Sequence, residues 1–108
     1  MRTVQDAMQM MFQRGKATMS TDELDGLASL SDYAADEARR MAVLCEGLGC
    51  LIDYDSRNPT GAGNFRDGED VSDLLFALGH SFDVLAGMVH VGDEATYEAN
   101  RRKQEVRP

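Results

Sequence analysis

The sequence predicts an all-α protein: an antiparallel hairpin of two long helices, flanked by short helices at either end, in a small helical bundle. Three observations predict it. Apolar residues recur at steps of three and four through most of the 108 residues. Aromatics are 6% and tryptophan is absent, so methionine, alanine and leucine must carry the core, which suits helix packing better than a β-sandwich. Helix-start signals stand ahead of the long apolar runs, with capping residues and clustered acids in the first turns.

The elements follow in order as parts of one α-helical domain, 1–108. Residues 1–19 read as a short amphipathic helix and turn. Val4, Ala7, Met8, Met11 and Phe12 share one face, and Gly15 is the expected stop. A helix this short does not stand alone in water, so it is expected to dock on the body of the chain. "STDE" at 20–23 is a capping box, with Ser20 and Glu23 serving each other's backbone N–H. From there residues 20–55 read as one long helix, or as a short one leading into a long one with a break near 29–32.

This long segment carries two stripes. Leu27, Leu30, Ala34, Met41, Leu44, Leu48 and Leu51 form a heptad seam. Beside it run the small residues Ala35, Ala38, Ala42, Cys45 and Gly49, which admit a close neighbour. Together they make an apolar face wider than one helix would cover, so this segment is expected to be the central helix. Residues 56–68 are a Gly/Asn/Pro-rich connector, long for a helical hairpin. Residues 69–91 give the second long helix, with Val71, Leu74, Leu75, Leu78, Phe82, Leu85 and Val89 as its stripe. Gly92 is the expected stop, and 92–108 the expected exposed C-terminal helix and tail.

Net charge is −8, and it is uneven. Residues 17–100 hold 17 acids and four bases, Arg39, Arg40, Arg57 and Arg66. Such a body repels phosphate backbones and anionic membranes, so direct nucleic-acid binding and membrane association are disfavoured. No run of about 18 consecutive apolar residues occurs. The start "MRTVQDAMQMMFQRG" has Gln and Asp inside it and no A-x-A cleavage site after it. The expected location is the cytoplasm.

No stretch carries a catalytic or ligand-binding constellation. The segment from Asp53 fails as an EF-hand loop: its fifth position is Arg57, its sixth Asn58 and its twelfth Asn64. The glycines at 61 and 63 lack the Lys-Ser/Thr of a phosphate-binding loop. Cys45 and Cys50, five apart on a helix, point about 140° apart and do not form a redox motif or a zinc pair. His80 and His90 sit about 15 Å apart along one helix and cannot share a metal ion. Glu37, Glu46, Asp53, Asp73 and Asp83 lack the paired spacing that magnesium-dependent all-α nucleotide hydrolases use. No cofactor, metal or catalytic residue is therefore expected.

The function expected is protein–protein binding by a small acidic non-enzymatic protein. By charge and size it compares with phage and mobile-element inhibitors that occlude basic nucleic-acid channels of host defences. The partner would then be a protein with a basic surface. One candidate contact patch is Asp22, Glu23, Asp25, Asp32 and Asp36, and another is Glu69, Asp70 and Asp73. Asp55, Arg57, Phe65 and Arg66 are candidate contacts at the connector, because binding residues concentrate on loops. The alternatives are a homodimeric structural or regulatory bundle subunit and, further off, a magnesium-dependent nucleotide hydrolase.

Overall fold

The computed structural model describes residues 3–57 and 68–106. It is all-α. Among the described residues four helices follow one another: α1 (Val4–Gly15), α2 (Thr21–Ala28), α3 (Leu30–Arg57) and α4 (Gly68–Val106), with a 3-10 turn (Lys16–Thr18) between the first two. The two long helices pack on each other as a hairpin, but the second runs past the expected end at 91 to Val106. The flanks differ from expectation.

α1 starts where Thr3 accepts a hydrogen bond from the Asp6 backbone N–H. Its first turn is also held from outside, because Val4 N–H donates to Asp83 at 2.9 Å. Gly15 ends the helix, but through the 3-10 turn rather than a left-handed cap. The capping box at Ser20 and Glu23 is fully formed, at 3.0 and 2.8 Å. The break falls at Ser29, whose hydroxyl donates back to the Gly26 carbonyl. So a short helix leads into a long one.

The C-terminal segment is the main correction. Gly92 does not end a helix, and 92–106 is not an exposed extension. α4 runs unbroken for 39 residues, about 58 Å. Gly92 lies where α3 crosses α4: a Cβ there would stand 2.3 Å from Ser31 Oγ and 2.7 Å from Ser31 N. Gly87 does the same for α1, where a Cβ would meet Met8 Sδ at 2.6 Å. Both glycines permit close helix approach rather than a turn. Beyond them Ala95, Glu98 and Ala99 are buried.

The central helix is thus α4, not the 20–55 segment, because α1, α2 and α3 all pack on it. α4 is also the one described helix long and apolar enough to cross a membrane by length and composition, although His80, Asp83 and His90 interrupt its apolar stretch.

Two buried clusters result. The larger joins Phe12, Leu24, Val91, Ala95 and Ala99, backed by Met8, Met19, Leu27, Ala28 and Leu30. The smaller joins Ala34, Met41 and Leu85, backed by Leu78 and Met88. A polar node closes the larger one. Arg102 donates to the carbonyls of Lys16 and Met19, stitching α4 to the turn after α1. Glu98, buried, takes hydrogen bonds from Arg101 at 2.7 and 3.1 Å and from Arg102 at 3.4 Å. The Arg101 hydrogen bonds, against some burial, hold its carboxyl down at about 2.

The molecule is long and thin, with principal extents of 72 × 26 × 13 Å. Its radius of gyration is 19.7 Å, where a compact chain of this length would have about 13 Å. The excess length is the far end of the hairpin.

Candidate protein-binding surface

Past Met41 on α3 and before Leu85 on α4, no described side chain is buried. Among the described residues, 42–57 and 69–82 have only each other to pack on, since α1 begins at the level of Asp83. Yet both helices stay apolar. Leu44 is 56% exposed, Leu51 62%, Leu75 61% and Phe82 52%. A layer of two helices normally needs a second layer to bury such faces.

The two sides of this layer can be told apart. On the first side, Tyr33, Glu37 and Met41 of α3 face His80, Ser81, Val84 and Met88 of α4 across a shallow groove of about 260 Å³. On the second side, Ser31 of α3 bonds Asp93 at 3.0 Å and the Val89 carbonyl at 3.3 Å. Seven-residue steps keep a helical residue on one side, with a drift of about 20° per heptad. Leu44 and Leu51 follow Glu37 by one and two heptads, so they belong to the first side. Asp73 lies one heptad before His80, and Asp70 two before Val84, so the first side also carries acids at its far end. Asp55, eighteen residues after Glu37, returns to the same angle.

On the second side, Leu75 and Phe82 precede Val89 by two heptads and one. They stand beside Ala38, Ala42, Cys45 and Gly49, the small stripe that follows Ser31. The seam between α3 and α4 therefore differs from the predicted one. Ala34, Met41 and Leu48 lie in it, joined by half-buried Cys45 and Ile52, while Leu44 and Leu51 stay outside. On α4, Val71, Leu74, Leu78 and Leu85 turn inward, and Leu75, Phe82 and Val89 do not.

The acidic candidates do not form one surface. Asp25 lies 3.9 Å from Lys103, near the C-terminal end of α4, whereas Glu69, Asp70 and Asp73 begin that helix. Asp25 is therefore about 45 Å from Asp73, and Asp32, next to Ser31 at the Gly92 crossing, about 30 Å from it. Several members already serve local structure: Glu23 in the capping box, Asp25 beside Lys103, and Asp36 with Arg39 at 2.5 Å. Asp22, Asp32, Glu69, Asp70 and Asp73 are exposed. Asp55 is half-buried, and Arg57 pairs with Asp53 at 3.1 Å. Phe65 and Arg66 lie outside the described residues.

The carboxylates weighed as magnesium ligands are dispersed. Asp83 caps α1, Glu37 pairs with Arg40 at 2.6 Å, and Asp53 holds Arg57. No three His, Cys, Asp or Glu converge as a metal-holding group among the described residues. Cys45 is a half-buried thiol and Cys50 an exposed one.

The groove walled by Lys16, Glu98, Arg101, Arg102 and Glu105 was not foreseen from sequence. Its arginines are engaged by the carboxylates beside them and by the Lys16 and Met19 carbonyls, so it reads as a structural node.

No protein-family model matches the chain, and neither a curated protein nor a solved structure is similar to it.

Proposed function

We propose that this chain works by binding another protein rather than by catalysis, and that the far half of the hairpin is the binding element. The observation that carries this reading is the single layer of α3 and α4 with leucines open on both sides. A soluble chain that keeps such apolar rows exposed marks an interaction surface.

The first side of the hairpin is the docking face. Its groove between Tyr33 and Val84 continues along Leu44 and Leu51 toward Asp55, Asp70 and Asp73. The matching partner presents an apolar ridge, such as an amphipathic helix, bordered by Lys or Arg. This keeps the basic-partner idea but changes its basis. Apolar contact supplies the affinity, and the acids supply orientation and encounter rate. The acidic patch of α2 and early α3 becomes a solubilising surface. A reducing compartment such as the cytoplasm suits the two free thiols.

The test is affinity capture from a nuclease-treated host lysate, read by mass spectrometry, with the wild-type chain and Leu44→Glu as baits. A stoichiometric partner held by the wild type and lost by Leu44→Glu, with unchanged helical circular dichroism, supports the reading. Equal recovery by both baits, or no stoichiometric protein at all, rejects it.

A further inference from the structure

We propose that the second side of the hairpin is covered by a second copy of this chain, forming a two-fold antiparallel four-helix bundle. The inference rests on the hairpin being a protein-binding element and names the occupant of its other face.

Three features select a second copy. The first is relief. On this side α4 presents a ridge, Leu75, Phe82 and Val89, while α3 presents a trough, Ala38, Ala42 and Gly49. Nothing lies within 4 Å of where a Cβ on Gly49 would stand. A two-fold axis lying between the two layers, parallel to the helices, lays each α4 across the other copy's α3, so the ridge of one enters the trough of the other. The face is complementary to itself.

The second feature is charge. From Ser31 to Gly49 and from Val71 to Val89, the centre of this side holds no ionisable group except the half-buried Cys45 thiol, and Asp53 and Asp93 at its two ends are engaged by Arg57 and Ser31. A chain of net charge −8 can therefore meet itself here without setting carboxylates against each other. The first side is different: Asp55, Asp70 and Asp73 would confront their own copies, which opposes self-association there.

The third feature is area. This side, from Ser31 to Gly49 and from Val71 to Val89, is 19 residues of each helix, ~28 Å long and two helices wide, ~20 Å. That gives roughly 600 Å² per copy and about 1,200 Å² in all, the lower end of what stable specific interfaces bury.

The test is sedimentation velocity on the full chain at tens of micromolar, with circular dichroism as the folding control. The wild type should run at twice the 11.9 kDa chain mass. Gly49→Leu fills the trough and should raise the dimer dissociation constant roughly a hundredfold or more, because the clash is made twice across the axis. Gly47→Leu, an equal change on an exposed glycine turned to the first side, should leave the dimer intact. Both substitutions favour helix, so neither should unfold the chain. Phe82→Glu and Leu44→Glu form a second pair with the same expectation, the former giving single-mass chain and the latter not.

A wild type of single mass overturns the inference, as does a dimer lost equally in Gly47→Leu and Gly49→Leu. Capture of a partner by a single-mass wild type would leave the proposed function standing while removing the second copy. A dimer with no captured partner would do the reverse.

Discussion

The two ends of α4 are built from the same kind of helix but solve opposite problems. At the C-terminal end three elements converge on it, and the contacts are made by small residues: Gly87, Gly92, Ala95 and Ala99. Backbones come close, Leu24 is wholly enclosed, and hydrogen bonds from Arg101 and Arg102 hold Glu98 far below its usual range despite its burial. At the N-terminal end α3 is its only neighbour among the described residues. The large residues Leu75 and Phe82 look outward, and no described side chain is buried. Burial in this chain therefore follows the number of neighbours and not the size of the apolar side chain. The end with larger hydrophobes is the emptier one, and that inversion marks it as the end that binds.

The contrast can be broken most sharply at Leu24. Leu24→Ala removes a fully enclosed side chain and should cost about 3 kcal/mol in chemical denaturation. Leu44→Ala, far along the hairpin, should cost under about 0.5 kcal/mol in the same experiment.

Next comes Gly92. Gly92→Ala drives a methyl group into Ser31, backbone included, and should destabilise by about 2 kcal/mol despite alanine's better helix propensity. Gly79→Ala meets nothing within 4 Å and should gain about 0.5–1 kcal/mol. Equal effects at the two glycines would remove the distinction between a crossing and an open face.

The smallest effect sought is one of pH. Glu98 is held at about 2 by Arg101 and Arg102, below the 4.5 of an ordinary glutamate. Its contribution to stability is whole above pH 4.5 and is lost as pH falls from there through about 2. Glu98→Gln should flatten the stability profile in that window. Hydrogen exchange in the wild type should show amides of 91–102 losing protection there, with those of 42–57 unaffected. A profile unchanged by Glu98→Gln would show that the node does not couple to folding.

Much of this was legible in the sequence, but unevenly. Ser20 and Glu23 announce a helix start because capping is local chemistry, settled within four residues. The break at Ser29 falls within the 29–32 stretch where one was expected, but Ser31 bonds α4 there rather than capping a helix start. The fate of 92–106 was not legible. Gly92 carries the same letter whether it ends a helix or admits a crossing, and Ala95 and Ala99 give little hydropathic signal although buried. Glu98 reads as surface until its two arginine partners are seen.

The candidate surface was half legible. Both stripes of α3 were visible as heptads, but periodicity alone does not say which stripe meets the chain's own partner. The structure assigns the inward seam to residues of mixed size and leaves Leu44 and Leu51 outside. Overlapping stripes on one helix are what a chain needs when it must satisfy more than one neighbour.

Because one unbroken helix spans both ends, the molecule is also a lever. Gly92, where α3 crosses without an intervening side chain, lies 24 residues from the start of α4 at Gly68, an arm of about 36 Å. Pivoting there by about 5° would carry the tip roughly 3 Å, the depth of one side-chain layer. Small adjustments in how Ser31 sits against Gly92 are thus magnified at the far end into displacements on the scale of a contact made or missed.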